Sequence, residues 1–314
     1  MSNLHRASGR TRLGLVLSLV TALCWATLPV ALKVTLQALD PLTLTWFRFL
    51  VAAVLTMGWL ALRGKLGGLR GLGGRGMGLL ALAAAMLVGN YVFYLLGVQH
   101  STPGNAQLLI QLAPLLMALG GILVFRERYR AGQWLGLAII ATGLWLFFRD
   151  QSGHSSVGGR EYALGSAMVV VAALVWAGYA LLQKQLLTRL SSPAVMLFIY
   201  LLASVLLLPL AHPASLLHLD ATGYVLLVFC ALNTLVAYGA FAEALVHWEA
   251  SRVSTVLALT PLLSLAVIAG VHAGWPAAVA AESVGMVGYA GAVLVVAGSA
   301  MSALLGTRTR RQPA

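Results

Sequence analysis

The sequence predicts an all-α integral membrane protein, its ten transmembrane helices arranged as two inverted five-helix repeats. Three observations carry this reading. Of the 314 residues, 60% are hydrophobic and only 9% charged, and the mean hydropathy is +0.91, a balance that soluble domains do not show. Apolar windows of about 20 residues, enough to cross about 30 Å of hydrocarbon, follow one another with short polar gaps. The second half of the chain also aligns on the first.

The first five spans fall at 13–32, 41–62, 77–98, 103–125 and 132–148. The first has a basic start like a signal peptide, but it runs too long and lacks a small-x-small cleavage site before the next span, so it stays attached. The second carries Arg48 in "TWFRF", the third "GNYVFY" (89–94) and the fourth "GNAQLLIQLAP" (104–114). The linker "RDQSGHSSVGGRE" (149–161) is the longest polar break outside the tails and separates the repeat 13–149 from the repeat 162–305. The remaining spans fall at 162–182, 193–210, 221–244, 253–271 and 284–305, the eighth carrying "NTLVAYGAF" (233–241). Gly132 and Gly136 in the fifth span, and Gly285, Gly288 and Gly291 in the tenth, put small residues on one face, which close helix packing explains without any chemistry. Cys24 and Cys230 lie within spans as small apolar groups and form neither a disulfide nor a metal framework.

The net charge of +12 suggests a nucleic-acid partner until its distribution is followed. An even number of spans puts both ends on one side. That side collects Arg6, Arg10, Arg12, Arg63, Lys65, Arg70, Arg75, Arg126, Arg128, Arg130, Lys184, Arg189, Arg252, Arg308, Arg310 and Arg311, and leaves Lys33, Arg149 and Arg160 for the other. The positive-inside rule then places both termini in the cytoplasm of a multi-pass protein of the inner membrane, with lipid rather than nucleic acid around it.

In the alignment of the halves, "ALCWA" (22–26) meets "ALVWA" (173–177) and Lys33 meets Lys184. With small shifts "APLL" (113–116) meets "TPLL" (260–263), Tyr91 meets Tyr238, His100 meets His247, and Gly136 and Gly143 meet Gly291 and Gly298. Five spans per copy is an odd number, so the second copy enters the membrane upside down. Inverted repeats mark carriers whose halves rock around a site near the midplane.

The chain resembles the drug/metabolite transporter superfamily, specifically proteins with two EamA-type repeats. The resemblance rests on "ALCWATLPVALK", "TLTWFRFLVAA", "TPGNAQLLIQLAPLL", "FRERYRAGQWLGLAIIATGLWL" and the weaker "EASRVSTVLALTPLL" and "AGAVLVVAG". It implies a fold of monomer scale, a monomer or weak dimer, that exports small metabolites, amino acids or drugs by alternating access around a central cavity. One departure is visible: Glu127 follows the fourth span in "RERY", whereas its counterpart Glu282 follows an extra "HAGWPAAVA", so the outer end of the ninth span is expected to be reshaped.

A carrier needs polar groups on otherwise apolar walls. Gln107 and Gln111 are four apart on one helix face, with Pro114 weakening the backbone ladder beyond them; they line a cavity or act as interhelical glue. Asn90, Tyr91, Asn233 and Tyr238 offer hydrogen-bonding tips to an amphipathic solute, while Tyr94 stands near enough to a span end to belong to the interfacial belt. Trp25 and Trp176 are repeat-equivalent indoles past the middle of their helices, read as solute contacts or as packing. Arg48, about 10 Å into its helix, either snorkels to the headgroups beside Trp46 or meets an anionic solute group such as a carboxylate. Glu243 and His247, four apart on the inner half of the eighth span, are candidates for proton coupling; pairing of Glu243 with Arg252 is the plainer alternative.

Rival classes find little support. An intramembrane enzyme would need paired catalytic groups, and the chain has no HExxH, no GxSxG and no pair of aspartates within spans. "GWLALRGKL" fails as a phosphate loop: Gly58 is one residue too distant, Leu66 replaces the Ser or Thr, and no strand precedes it. No cofactor is implied. A channel or a lipid-translocating protein remains the alternative, although neither rings of like groups nor a polar lipid groove is visible.

Overall fold

The computed structural model describes residues 10–65, 73–113, 115–116, 120, 130–154, 158–186, 190–247, 253, 256–257, 259–280 and 284–306. Among them the regular structure is helical: α1 (Thr11–Thr35), α2 (Pro41–Leu62), α3 (Gly74–His100), α4 (Pro103–Leu109), α5 (Ala131–His154), α6 (Gly159–Leu186), α7 (Ser192–Leu207), α8 (Ala221–His247), α9 (Thr260–Gly274) and α10 (Met286–Gly306). Each of these ten helices falls in one predicted span. Among the described residues seven helices, α1 to α3 and α5 to α8, with α7 continued by a 3-10 turn to Leu210, are long and apolar enough to cross a membrane, and α9 and α10 are shorter apolar helices. Outward-facing Val16, Leu23, Val205 and Val225 are half or more exposed, as expected of side chains that meet lipid. Trp59 stacks beside Arg63 at the end of α2 and Trp145 beside Arg149 near the end of α5, placing aromatic and cationic groups together at helix ends.

Local chemistry sets the ends. Pro41 and Pro103 open α2 and α4, where the missing N–H costs nothing. Asp40 caps α2, its carboxylate accepting from Leu42 N, Thr43 N and the Thr43 hydroxyl. Burial alone would raise this carboxyl; the Thr43 and Leu42 hydrogen bonds and the neighbouring His212 outweigh it and hold the pKa below the usual value. The linker is less open than its polarity suggests, because α5 continues to His154 and α6 begins at Gly159. The extra segment after the ninth span folds back on it: α9 runs to Gly274, and the His272 ring meets the Val279 carbonyl at 2.9 Å. Glu127 and Glu282 lie outside the described residues.

The fold packs as two compact units, Leu28–Phe125 with Val157–Leu235, and Met1–Thr27 with Arg126–Ser156 and Val236–Ala314. These units do not follow the two halves of the sequence. Each draws helices from both, and the boundaries fall inside α1 and α8.

In the first-named unit, α2, α3, α6 and α7 share a core of Phe49, Ala52, Leu80, Ala84, Leu87, Tyr179, Val195 and Ile199. There α3 and α6 run antiparallel in close contact, because Gly97 and Gly165 let backbone approach backbone: a Cβ on Gly165 would lie 2.7 Å from His100 C and 2.8 Å from Ser101 N. In the other unit, α5 and α10 pack antiparallel through glycines. A Cβ on Gly136 would meet Gly298 O at 2.8 Å, and one on Gly143 would meet Gly291 O at 2.6 Å. Since Gly136 is repeat-equivalent to Gly291 and Gly143 to Gly298, the contact of Gly136 with Gly298 maps onto that of Gly291 with Gly143, the pattern of a local two-fold between inverted helices. Asp150 at the end of α5 accepts from Gly285 N at 2.8 Å and so serves the first turn of α10.

Candidate functional site

Polar side chains inside membrane-length helices need partners, and the unit built on Leu28–Phe125 and Val157–Leu235 gathers most of those expected from the sequence. Arg48 on α2 is only 2% exposed, so it faces protein rather than snorkelling to headgroups. Its Nε and Nη2 donate to the Thr234 hydroxyl on α8 at 3.3 and 3.2 Å. That hydroxyl donates in turn to Cys230 O at 3.1 Å. The guanidinium also lies 4.7 Å from the centre of the Tyr91 ring on α3, and Tyr91 packs against Phe49 with centroids 4.6 Å apart.

A second contact sits one turn further along α3, where Tyr94 OH donates to Gln107 Oε1 on α4 at 3.3 Å. Tyr94 is therefore not an interfacial belt residue but part of this polar set. Gln111 departs from expectation. The α-helix ends at Leu109, Gln111 N bonds Leu108 O at 3.0 Å and Ala113 N bonds Ile110 O at 2.9 Å, so a tighter turn separates the two glutamines that were expected on one face. Proline at 114 has no N–H for the Ile110 carbonyl, which takes the earlier donor instead. Pro114 itself, and Ser254 and Ala258, the repeat counterparts of Gln107 and Gln111, lie outside the described residues.

Asn90 turns away from Tyr91 and donates through Nδ2 to Ala172 O on α6 at 2.9 Å, a helix-to-helix tie. Trp176 packs against the same apolar core as Tyr91. Asn233 is buried beside Thr234. Lys33, unremarked as a site residue, donates to Val98 O, Gln99 O and Ser101 O at 2.8, 2.7 and 2.7 Å, and Asn105 Nδ2 reaches the Ser166 hydroxyl at 2.9 Å. Thr234 and Tyr94 were the missed partners; the sequence signal for both was a polar group within an apolar run.

The other unit holds the remaining candidates. Trp25 on α1 meets Tyr238 edge-on and Phe241 at a tilt, both with centroids 5.8 Å away on α8. Thr21 Oγ1 approaches Ala237 O at 3.4 Å, which mirrors the Asn90 tie: the repeat equivalents of Ala172 and Asn90 are Thr21 and Ala237, with donor and acceptor exchanged. His247 Nε2 and Glu243 Oε1 stand 3.1 Å apart, the histidine buried and the glutamate exposed. Arg252, the alternative partner of Glu243, lies outside the described residues. Among the described residues no group of three His, Cys, Asp or Glu side chains is placed to hold a metal.

Comparison with known proteins finds the same architecture. The model of the EamA-like transporter family matches residues 12–149 and again 163–304. Over 293 residues, 93% of this chain and 91% of the relative, the sequence is 36% identical to "Uncharacterized inner membrane transporter YhbE" of Escherichia coli (strain K12). It is 33% identical to an "Uncharacterized transporter" of Haemophilus influenzae across 93% of this chain and 95% of that one. A Salmonella typhimurium protein named "Probable amino-acid metabolite efflux pump" is 28% identical over 94% of this chain and 96% of its own. A solved crystal structure superposes with a TM-score of 0.63 over 95% of this chain and 98% of its own, at 19% identity, a likeness of fold.

Proposed function

The chain belongs to the EamA-like transporter family and is a multispanning membrane transporter, and from that premise we propose that it exports small metabolites, amino acids or drugs across the inner membrane by alternating access. The observation that supports this reading is the polar set of buried Arg48, Tyr91, Gln107 and Thr234 with half-buried Tyr94, carried on four membrane-embedded elements of one unit. Lipid does not tolerate such groups, and a catalytic pair is not among them. They offer a solute hydrogen bonds and a charge in place of water, which is what a carrier must supply at mid-membrane. The relative named as an amino-acid metabolite efflux pump fits the same solute range. The working form is a monomer or weak dimer.

The reading is tested by counterflow into proteoliposomes of the purified protein. Flux that saturates with solute and is accelerated by solute on the far side is expected. Flux linear in concentration would instead favour a channel, the rival class.

Orientation follows from the basic-residue asymmetry, with both termini cytoplasmic and the linker 149–161 outside. In a cysteine-free background, Ser155→Cys should react with a membrane-impermeant thiol reagent added to intact cells and Ser302→Cys should not. The reverse pattern would mean an inverted protein.

Energy for export comes from an ion or solute gradient, and the Glu243–His247 pair is our candidate for exchanging protons with it. Glu243→Gln should cut the acceleration of transport by an imposed pH gradient at least fivefold while leaving counterflow intact. An undiminished response to the gradient would remove Glu243 from the coupling path.

A further inference from the structure

We propose that Arg48 is the anchor for an anionic group of the transported solute, so that the carrier takes carboxylate-bearing metabolites in preference to neutral or cationic ones; this rests on the transporter reading above. The guanidinium keeps its charge at any physiological pH, and a buried charge is costly unless an opposite charge answers it. Arg48 is 2% exposed. Yet the described carboxylates are all engaged elsewhere. Asp40 caps α2, Asp150 serves Gly285 N, Glu161 faces His100 at 3.3 Å, Asp220 accepts from Gly223 N at 2.7 Å and Glu243 pairs with His247.

What Arg48 does hold is neutral. The Thr234 hydroxyl takes both Nε and Nη2, at long distances, and its own proton is committed to Cys230 O. The Tyr91 ring covers one side of the guanidinium. These contacts fix the plane and direction of the fork without neutralising it. Thr234 occupies the edge formed by Nε and Nη2, whereas Nη1 makes no hydrogen bond to the described residues. The second edge, Nη1 with the other Nη2 proton, presents two parallel N–H donors, the shape that a carboxylate fills with two bonds. Tyr94, one turn along α3 from the Tyr91 ring, and its hydrogen-bond partner Gln107 add neutral hydrogen-bonding groups for the rest of the solute. A carboxylate entering here supplies the opposite charge that none of the described carboxylates brings to Arg48, whereas a cationic or neutral amide group would leave the guanidinium unanswered.

The experiment uses the full-length protein in proteoliposomes loaded with equal amounts of L-leucine, L-phenylalanine and their C-terminal amides, which differ from the acids only in the carboxylate. Protein-dependent exit is measured against protein-free vesicles. The acids should leave at least tenfold faster than the amides, Arg48→Gln should erase that preference, and Arg48→Lys, which keeps the charge but not the fork, should retain part of it. Thr234→Val, chosen in case Arg48→Gln fails to fold, should raise the KM for the acids several-fold with little change in kcat and none for the amides. Equal exit of acids and amides from the parent, or an unchanged preference in the folded variants, would overturn the anchor while leaving the transporter reading in place. Absence of any protein-dependent exit would overturn both.

Discussion

Gly143→Leu and Gly291→Leu are each expected to abolish recovery of folded protein, and Gly143→Ala to lower unfolding stability by about 2 kcal/mol. A Cβ on Gly143 would sit 2.6 Å from Gly291 O and 2.8 Å from Val295 N, and one on Gly291 would sit 2.6 Å from Gly143 O and 2.8 Å from Phe147 N. All four obstacles are backbone atoms. A side chain can rotate away from a methyl group, but the rigid ladder of a helix cannot, so α5 and α10 must move apart as bodies. Separation by even a fraction of an ångström forfeits dispersion contacts along the whole crossing, and in lipid no hydrophobic drive restores them. It also pulls Asp150 from Gly285 N, which uncovers a helix start. Gly58, with nothing within 4 Å of its Cβ position, is the control: Gly58→Ala should be neutral or slightly stabilising through helix propensity. Midpoints of unfolding in detergent titrated with dodecyl sulfate provide the comparison. A Gly143→Ala protein as stable as Gly58→Ala would show that the crossing is looser than the geometry states.

The small-residue faces of the fifth and tenth spans were legible in the sequence, though not that they pack on each other, and the reason is their regularity. Duplication made Gly136 and Gly143 recur as Gly291 and Gly298, and small residues seven apart return to one helix face. The Glu243–His247 contact was legible for a similar reason, since four residues along a helix bring two side chains together whatever surrounds them. The Arg48 partners were not. Thr234 lies 186 residues away, and nothing periodic links a hydroxyl on the eighth span to a guanidinium on the second. Asn90 and Tyr91 are adjacent in sequence, yet one ties α3 to α6 and the other covers Arg48, because neighbouring positions on a helix point about 100° apart. The break after Leu109 was foreshadowed by Pro114 but not its position, which depends on which donor takes the Ile110 carbonyl.

Lys33→Met is the second large effect, expected to cost about 3 kcal/mol and to reduce transport with it. The chain passes from α3 to α4 through Ser101 and Thr102 alone, both buried, so the carbonyls at the end of α3 are partly shielded from water. Ser101 N and its hydroxyl both serve Gly97 O, at 2.9 and 2.6 Å, and Thr102 is committed to capping α4 through Asn105 N. The carbonyls of Val98, Gln99 and Ser101 fall to Lys33, whose ammonium has three protons to give and places a positive charge where the helix dipole is negative. Methionine fills a similar volume but leaves three acceptors in a part-buried corner. Arginine keeps the charge, yet its planar fork cannot converge on three carbonyls as an ammonium does, so Lys33→Arg should recover only part of the loss. The same corner holds the start of α4 against α3 and so sets the distance between Tyr94 and Gln107. Saturable flux in Lys33→Met should therefore fall beyond what reduced yield explains, when normalised to folded protein. Unfolding of Lys33→Met at the parental detergent concentration, with flux unchanged, would mean that other groups satisfy these carbonyls.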